Sequence, residues 1–254
     1  MKRLFFCPII FFSAFANCFA QGKYLETIKV TDSIYVFKPK IDYMHGNGVA
    51  IIGSDGVFFI DSYQMSTYAA EAIKRLKAIT KLPVQYLLNT HWHNDHVIGN
   101  YEFKKTFPGC KIIMHDSTMV YMKNIIAQAI DSDYVTSVQS VAQLEREIKD
   151  KKTARGLELT PALLGNWKWQ LQEVKEYIRD FRANKFTNAD ITFNDSLTFH
   201  WGSQTLQLVY LKDNGHSEGD VIVWIPEKKL VITGDIVVGP TPYETQGNVP
   251  GILK

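Results

Sequence analysis

Cysteine is scarce in this chain, which has three cysteines in 254 residues. Cys7 and Cys18 lie within the first twenty residues, so Cys110 is alone in the rest of the chain. A single cysteine has no partner for an internal disulfide. We therefore expect a fold without disulfide bonds, in which Cys110 is a small buried hydrophobic residue.

The chain also lacks a surplus of charge, because 28 basic and 26 acidic side chains leave a formal net charge of +2. Lys2 and Arg3 account for this excess, and the rest of the chain is close to neutral. A protein that binds nucleic acid needs a basic face to neutralise several phosphates, so nucleic acid is not an expected partner. The ordinary hydrophobic fraction, 46%, predicts one compact domain of enzyme size.

Little of the chain could span a membrane, and the one apolar stretch has the features of a signal peptide. Lys2 and Arg3 precede the apolar residues 4–15, and Cys18-Phe19-Ala20 before Gln21 fits the small-residue rule for cleavage. Residues 1–20 are therefore predicted to be a signal peptide, which makes the mature protein periplasmic or secreted, without stable membrane insertion. The alternative is a single membrane anchor, although the stretch is short against the roughly 20 residues that span a bilayer.

Residues 21–254 show the mixture of strands and helices expected of one α/β domain. The turn at residues 53–56, between two apolar runs, predicts a β-hairpin. Helical spacing predicts a helix over 66–80, and a buried strand follows over 84–88. Helical patterns fill about 117–187, which we interpret as an insertion between two strand-rich halves. Its last helix carries an apolar stripe that we expect in the core, formed by Leu164, Trp167, Leu171, Val174, Ile178 and Phe181.

Three of the seven histidines lie in the segment His91-Trp92-His93-Asn94-Asp95-His96. Neutral imidazole nitrogens suit zinc, and a carboxylate can offset part of the charge of a second ion. Residues 91, 93 and 95 alternate, so an extended chain would place their side chains on one side. His96 reaches another side only if the chain turns into a loop or a helix. Two sets of ligands in one segment predict two metal positions.

Two downstream residues could complete such a site. His216 lies in a glycine-flanked turn between two predicted strands, and loops on a rigid sheet often supply ligands. Asp235 follows the predicted strand over 230–233. Taken alone, Asp235 could equally be a turn or capping residue.

Together these motifs resemble a known family. His91-x-His93-x-Asp95-His96, Gly215-His216 and Gly234-Asp235 are similar in order and approximate spacing to the motifs of the metallo-β-lactamase-fold hydrolase superfamily. Asp61 resembles the aspartate that ends the early hairpin of that family. The resemblance covers about residues 30–240 and implies an α/β fold, an αββα sandwich with metals at one edge of its two sheets.

The resemblance also implies a ligand set and a reaction. His91, His93 and His216 would hold a first zinc ion, Asp95 and His96 a second, and Asp235 would bridge the two. A metal-activated water would hydrolyse a small-molecule substrate, and Asp95 would also be the catalytic residue that orients this water.

One feature departs from the family pattern. Its members have a further histidine some tens of residues after the bridging aspartate, and this sequence has none beyond His216. We expect either that the sequence is a fragment that lacks the last strands, the interpretation we favour, or that the second site is weak and the protein uses one zinc ion.

The substrate class follows only coarsely from these residues. The β-lactamase members that have a cysteine at the second metal position place it near where Asp235 stands, so the resemblance favours hydrolysis of an ester, thioester, lactone or related bond. β-Lactam hydrolysis is the alternative, because antibiotics against the cell wall act where exported proteins work. A truncated metal-binding module without turnover is a further alternative, and the oligomeric state is not indicated.

Three histidines outside the motifs have other expected roles. We expect His45 to be a solvated loop residue and His200 to be structural. His115 would either hydrogen-bond to a metal ligand or lie at the surface.

Overall fold

The structure, a computed structural model, describes residues 22–40, 45–181, 185–212 and 215–238. The predicted signal peptide and the C-terminal end, to which the predicted truncation refers, lie outside these residues. The described strands are β1 (Leu25–Lys29), β2 (Ile34–Pro39), β3 (Gly48–Ile52), β4 (Val57–Ile60), β5 (Val84–Leu88), β6 (Lys111–His115), β7 (Ile191–Phe193), β8 (Ser196–Trp201), β9 (Gln204–Tyr210), β10 (Val221–Ile225) and β11 (Leu230–Ile232). The helices are α1 (Ser66–Ile79), α2 (Asn94–Val97), α3 (Asn100–Thr106), α4 (Asp116–Tyr121), α5 (Ala127–Asp150) and α6 (Pro161–Phe181).

The larger sheet contains β1 to β7 in chain order. Strands β1 to β4 pair antiparallel, whereas β4, β5, β6 and β7 pair parallel. Parallel neighbours need crossover connections, which are most often helical. Here α1 connects β4 to β5, α2 and α3 connect β5 to β6, and α4 to α6 connect β6 to β7. The carboxyl ends of β4, β5 and β6 therefore share one edge of the sheet, where loops can bring polar side chains together.

The smaller sheet is antiparallel, in the order β11-β10-β9-β8, and packs on the face of the larger sheet opposite the helices. Strand β4 shows the layering, because Val57 and Phe59 point into the core beneath the helices and Phe58 and Ile60 into the core between the sheets. A strand that is covered on both faces reads as a continuous apolar run. These layers confirm the predicted α/β sandwich class.

Local sequence signals place several elements correctly. The turn at 53–56 joins β3 and β4 in an antiparallel hairpin, and α1 covers the predicted helix to within one residue. Cys110 is buried in the core beneath the helices. Strand β1 was not predicted, because only Leu25 of its five residues is buried and an edge strand of this kind has little apolar pattern.

The apolar stripe of α6 is half-buried, so the prediction that it lies in the core is wrong. The buried residues of this helix are Glu173 and Tyr177. Helix α6 packs along α5, with the rings of Tyr134 and Phe181 stacked 4.7 Å apart. A pair of helices on the outside of a sheet covers less of each stripe than a closed core does, which explains the partial burial.

In the described part of the chain, none of the helices combines the length and the apolar character needed to cross a bilayer.

Candidate metal centre

The histidine-rich segment begins after β5 and does not remain extended. His93 occupies the N-cap position of α2, and the next four residues form one helical turn closed by the His96 N–H, which donates to the His93 carbonyl at 3.0 Å. Asp95 and His96 therefore lie on a helix. The predicted alternation of Asp95 with His91 and His93 is wrong, because the turn rotates Asp95 away from the extended register.

Three imidazoles form the first cluster. His93 Nδ1 lies 2.9 Å from His91 Nε2 and 2.8 Å from His216 Nε2. His91 and His216 are buried, and His93 is half-buried. One nitrogen of each ring lies within 4.8 Å of the other two, a spacing at which three rings can hold one ion at Zn–N distances of about 2.0 to 2.1 Å.

His96 and two carboxylates form the second cluster beside the first. His96 Nε2 lies 3.2 Å from Asp95 Oδ2 and 3.4 Å from Asp235 Oδ1. The other oxygen of Asp235, Oδ2, lies 3.8 Å from Nε2 of His216. Asp235 thus faces each cluster with one oxygen, which is the arrangement that a bridging carboxylate needs. All six residues predicted as metal ligands are therefore brought together.

Asp61, directly after β4, orients two of these histidines. Its carboxylate accepts hydrogen bonds from the N–H and the hydroxyl of Thr90, both at 2.8 Å, and its Oδ2 lies 2.9 Å from His96 Nδ1. The Thr90 hydroxyl oxygen lies 3.0 Å from His91 Nδ1. Because the hydroxyl donates to Asp61, it accepts the Nδ1–H of His91. Nε2 of both His91 and His96 is thereby directed into the clusters.

The loop between β9 and β10 positions His216 through a second buried aspartate. The carboxylate of Asp220 accepts the N–H groups of His216 and Ser217 at 2.7 and 2.9 Å, and the Ser217 hydroxyl at 2.7 Å. Gly219 adopts φ +106°, and a Cβ there would lie 2.7 Å from the backbone nitrogen of Thr118. Only glycine satisfies both the conformation and the close approach to α4.

Comparison with known proteins identifies the family. The family model described as the metallo-beta-lactamase superfamily matches residues 42–248, which is most of the chain. The chain belongs to the metallo-beta-lactamase superfamily. It is a hydrolase of that superfamily, and its clustered histidines and aspartates fit the motif.

Solved structures of similar fold include two metallo-beta-lactamases and a sulfatase. The metallo-beta-lactamase from Pontibacter korlensis is 16% identical, with a TM-score of 0.58, over 90% of this chain and 81% of that chain. The one from Hirschia baltica is 15% identical, with a TM-score of 0.56, over 89% and 80%. A stereoselective inverting sec-alkylsulfatase from Pseudomonas sp. is 14% identical, with a TM-score of 0.55, over 84% of this chain and 31% of that chain. At these identities the similarity shows the shared fold alone.

The charge states at this superfamily site suit a cation. Burial, followed by the neighbouring imidazoles, lowers the pKa of His91 well below its ordinary value, so its ring is neutral. Burial opposes the charge of Asp95, but the adjacent imidazoles outweigh it and hold its pKa at about 2. Burial also opposes the charge of His96, but Asp95, Asp61 and Asp235 together raise its pKa well above the ordinary value. The carboxylates thus stabilise a proton on His96 that a metal ion would displace, and the donor set fits a divalent metal.

Three buried polar residues beneath the segment were missed at the sequence level. Asn89 Nδ2 donates to the His96 carbonyl at 2.6 Å, Asn100 Nδ2 donates to Asn89 Oδ1 at 2.8 Å, and the Ser62 hydroxyl donates to Asn100 Oδ1 at 2.8 Å. These contacts fix the backbone of α2 and hence the direction of His96. Their one local signal is position, because Ser62 and Asn89 follow the ends of the buried strands β4 and β5.

His45 is not the solvated loop residue that was predicted. Its ring is buried and stacks on Tyr68 with centroids 3.8 Å apart, and its Nε2 lies 3.3 Å from Oε2 of Glu173. Helix α6 covers this loop, which the sequence alone did not indicate.

His115 has neither of its two predicted roles. It is buried at the end of β6, stacks on Tyr210 at 3.7 Å and accepts the backbone N–H of Ser117 at 3.1 Å. It therefore caps α4. His200, expected to be structural, is exposed on β8.

Proposed function

We propose that this chain is an exported, zinc-dependent hydrolase that uses a metal-activated water on an ester, thioester, lactone or related bond. The observation that carries the proposal is the position of Asp235, with one oxygen 3.4 Å from His96 and the other 3.8 Å from His216. A carboxylate between an imidazole cluster and a mixed imidazole–carboxylate cluster is suitable ligand chemistry for two zinc ions.

His91, His93 and His216 would hold the first ion, and Asp95 and His96 would hold the second, with Asp235 between them. Bound zinc supplies a lowered pKa for a water molecule and polarises the scissile bond. The protein contributes the orientation. Asp95 is ionised and half-buried, so it can accept a hydrogen bond from the attacking water and direct it. Asp61 and Thr90 keep the rings of His91 and His96 from rotating.

The number of zinc ions is proposed as one or two. The first cluster offers three imidazoles, which is a complete protein ligand set for a catalytic zinc. The second offers one imidazole, His96, with the carboxylates of Asp95 and the shared Asp235. We therefore expect the first position to bind more tightly.

The substrate is tested with zinc-loaded protein on a panel of a nitrophenyl ester, a thioester, a lactone, a chromogenic β-lactam and a secondary alkyl sulfate. The last two compounds are included because similar solved structures are named as metallo-beta-lactamases and as a sec-alkylsulfatase. We expect turnover of the ester, thioester or lactone. Turnover of the β-lactam alone would replace this proposal with the β-lactamase alternative.

The metal assignment is tested by His93→Ala, with zinc content measured by mass spectrometry beside activity. We expect the variant to lose the first zinc and the activity together. His200→Ala is the matched control, because His200 is exposed and outside both clusters. Full zinc in His93→Ala would contradict the assignment. Tightly bound zinc without turnover of any compound in the wild-type protein would instead support a metal-binding module.

The export proposal is supported by the pattern of residues 1–20. Fractionation of a bacterial host and N-terminal sequencing would test it. We expect the processed protein to start at Gln21 in the periplasm or medium. An uncleaved chain in the membrane fraction would support the anchor alternative.

A further inference from the structure

Helix α6 is attached to the rest of the protein by three acidic residues on one face. Glu173, Glu176 and Asp180 are spaced by three and four residues, which places them along one side of a helix. Their partners are the Tyr68 hydroxyl for Glu173, Tyr24 and Lys23 for Glu176, and the Ser66 backbone N–H for Asp180. These polar contacts connect α6 to α1 and to the segment before β1, beside Tyr177 and Phe181, which pack in or against the core beneath the helices.

Of these three acids, Glu173 is the one that contacts His45 among the described residues. Its Oε2 accepts the Tyr68 hydroxyl at 2.8 Å and lies 3.3 Å from Nε2 of His45. The His45 ring is stacked on Tyr68. Burial, together with Glu173, raises the pKa of Tyr68, which keeps its hydroxyl protonated as a donor. His45 is therefore held by a stack on its face and by Glu173 at its edge.

The residue after His45 touches a proposed metal ligand. A Cβ on Gly46 would overlap Cε1 of His96 and would lie 2.8 Å from its Nε2. The Gly46 backbone thus lies against the His96 ring at Cε1, the carbon between its two nitrogens. The opposite nitrogen of the ring, Nδ1, lies 2.9 Å from Asp61. The His96 ring is consequently held by Asp61 at Nδ1 and restricted by the Gly46 backbone at Cε1.

We infer that Glu173 is a positioning residue for the second metal position, acting through His45 and Gly46 on His96. The inference rests on the proposed function, since it assigns a purpose to the order of His96. In structural terms, α6, a helix of the crossover before β7, fixes the position of the His45–Gly46 backbone that borders the metal site. Loss of the Glu173 contacts would release His45, move Gly46 and give the His96 ring freedom to rotate.

The test compares Glu173→Ala with Glu176→Ala. Both variants remove an acid that docks α6, so both should lower the melting temperature. Among the described residues, however, the side chain of Glu176 contacts Lys23, Tyr24 and Gln172 and not His45. We expect Glu173→Ala to bind the second zinc about tenfold more weakly, at the lower end of the range for outer-shell ligand supports. Glu176→Ala should keep the wild-type affinity. The first zinc should be unaffected in both.

A conservative variant separates hydrogen bonding from charge. Both contacts of Glu173 go to the same carboxylate oxygen, and glutamine has one acceptor oxygen that can take both. Glu173→Gln should therefore retain second-site affinity to within about twofold, as hydrogen bonding to a neutral acceptor is kept. If Glu173→Ala does not fold, His45→Phe replaces it, because phenylalanine keeps the stack on Tyr68 and removes only the contact with Glu173.

A second readout does not depend on metal. In the metal-free protein, the Cε1–H resonance of His96, assigned by its absence in His96→Gln, should shift in Glu173→Ala or His45→Phe and stay in place in Glu176→Ala. Equal effects of Glu173→Ala and Glu176→Ala on both readouts would overturn the inference, as would a Glu173→Gln variant as impaired as Glu173→Ala. Wild-type protein that binds no zinc would overturn the proposed function, while the resonance of His96 would still decide the role of Glu173.

Discussion

Replacing Asp61 by asparagine tests how the metal positions are organised, because the substitution keeps the shape of the side chain and changes only its hydrogen bonding. Asp61 is buried and faces the N–H and hydroxyl of Thr90 and the Nδ1 of His96. Asparagine has one acceptor oxygen and one NH₂ group. If the oxygen stays with the Thr90 N–H, the NH₂ group faces the hydroxyl and the imidazole. The backbone at residue 61 has φ +59°, which asparagine tolerates as well as aspartate does.

The expected loss of stability and of zinc affinity depends on which hydrogen bond of residue 61 cannot be re-formed by asparagine. The Thr90 hydroxyl can rotate and accept from the new NH₂ group, so its hydrogen bond is retained. In the metal-free protein His96 carries hydrogen on both nitrogens, because its pKa is raised, so it avoids a donor–donor contact only by losing the hydrogen on Nδ1 and keeping the one on Nε2. One hydrogen bond to a charged acceptor is lost, which should lower the free energy of unfolding by about 1.5 to 3 kcal/mol. Nε2 is then protonated, so zinc at the second position should bind about 10- to 100-fold more weakly.

Two measurements check this prediction. Urea denaturation of the metal-free protein gives the free energy of unfolding, and zinc titration against a chromophoric chelator gives the affinity of each position. Asp55→Asn is the control, because Asp55 is exposed in the turn between β3 and β4 and should change neither quantity. Full second-site affinity in Asp61→Asn would refute the tautomer argument. Unchanged stability would refute the hydrogen-bond assignment.

The other predictions concern packing and pH. A Cβ at Gly99 would overlap the Ser62 carbonyl oxygen, so Gly99→Ala should destabilise the protein by about 1 to 3 kcal/mol in urea. Gly165→Ala, in open space on α6, should stabilise it by about 0.5 to 1 kcal/mol, and equal losses at both glycines would contradict the packing argument. Burial opposes the charge of Glu71, but two backbone N–H groups and Arg75 outweigh it and lower its pKa. Its stabilisation is therefore present at neutral pH and lost as pH falls through the lowered pKa, so the deficit of Glu71→Gln should shrink steadily below about pH 5. A deficit that does not change as the pH falls below that point would be the contrary result.

The predictability of the fold depends on how local each signal is. The hairpin of β3 and β4 and the helix α1 follow from turn residues and from spacing of 3.6 residues, which involve neighbours in sequence only. Strand β1 has no such signal, because pairing with β2 and not its own apolar pattern keeps it extended. The helix at Asp95 was missed for a related reason, since the strict alternation of residues 91, 93 and 95 is equally compatible with a strand that ends after His93.

The amino-acid sequence by itself determined which donors this protein offers to a metal, because side-chain chemistry is a property of each residue wherever it lies. Only the tertiary structure decided that Asp235 faces both clusters, that Asp61 and Thr90 select the ring orientation of His91 and His96, and that α6 is docked through Glu173. Asp61 and His96 are 35 residues apart, and His45 and Glu173 are 128 apart. Contacts between residues so far apart in sequence form where strand ends and crossover helices come together at one edge of the larger sheet. The periodicity of a short segment depends only on its own residues, so it cannot predict these contacts.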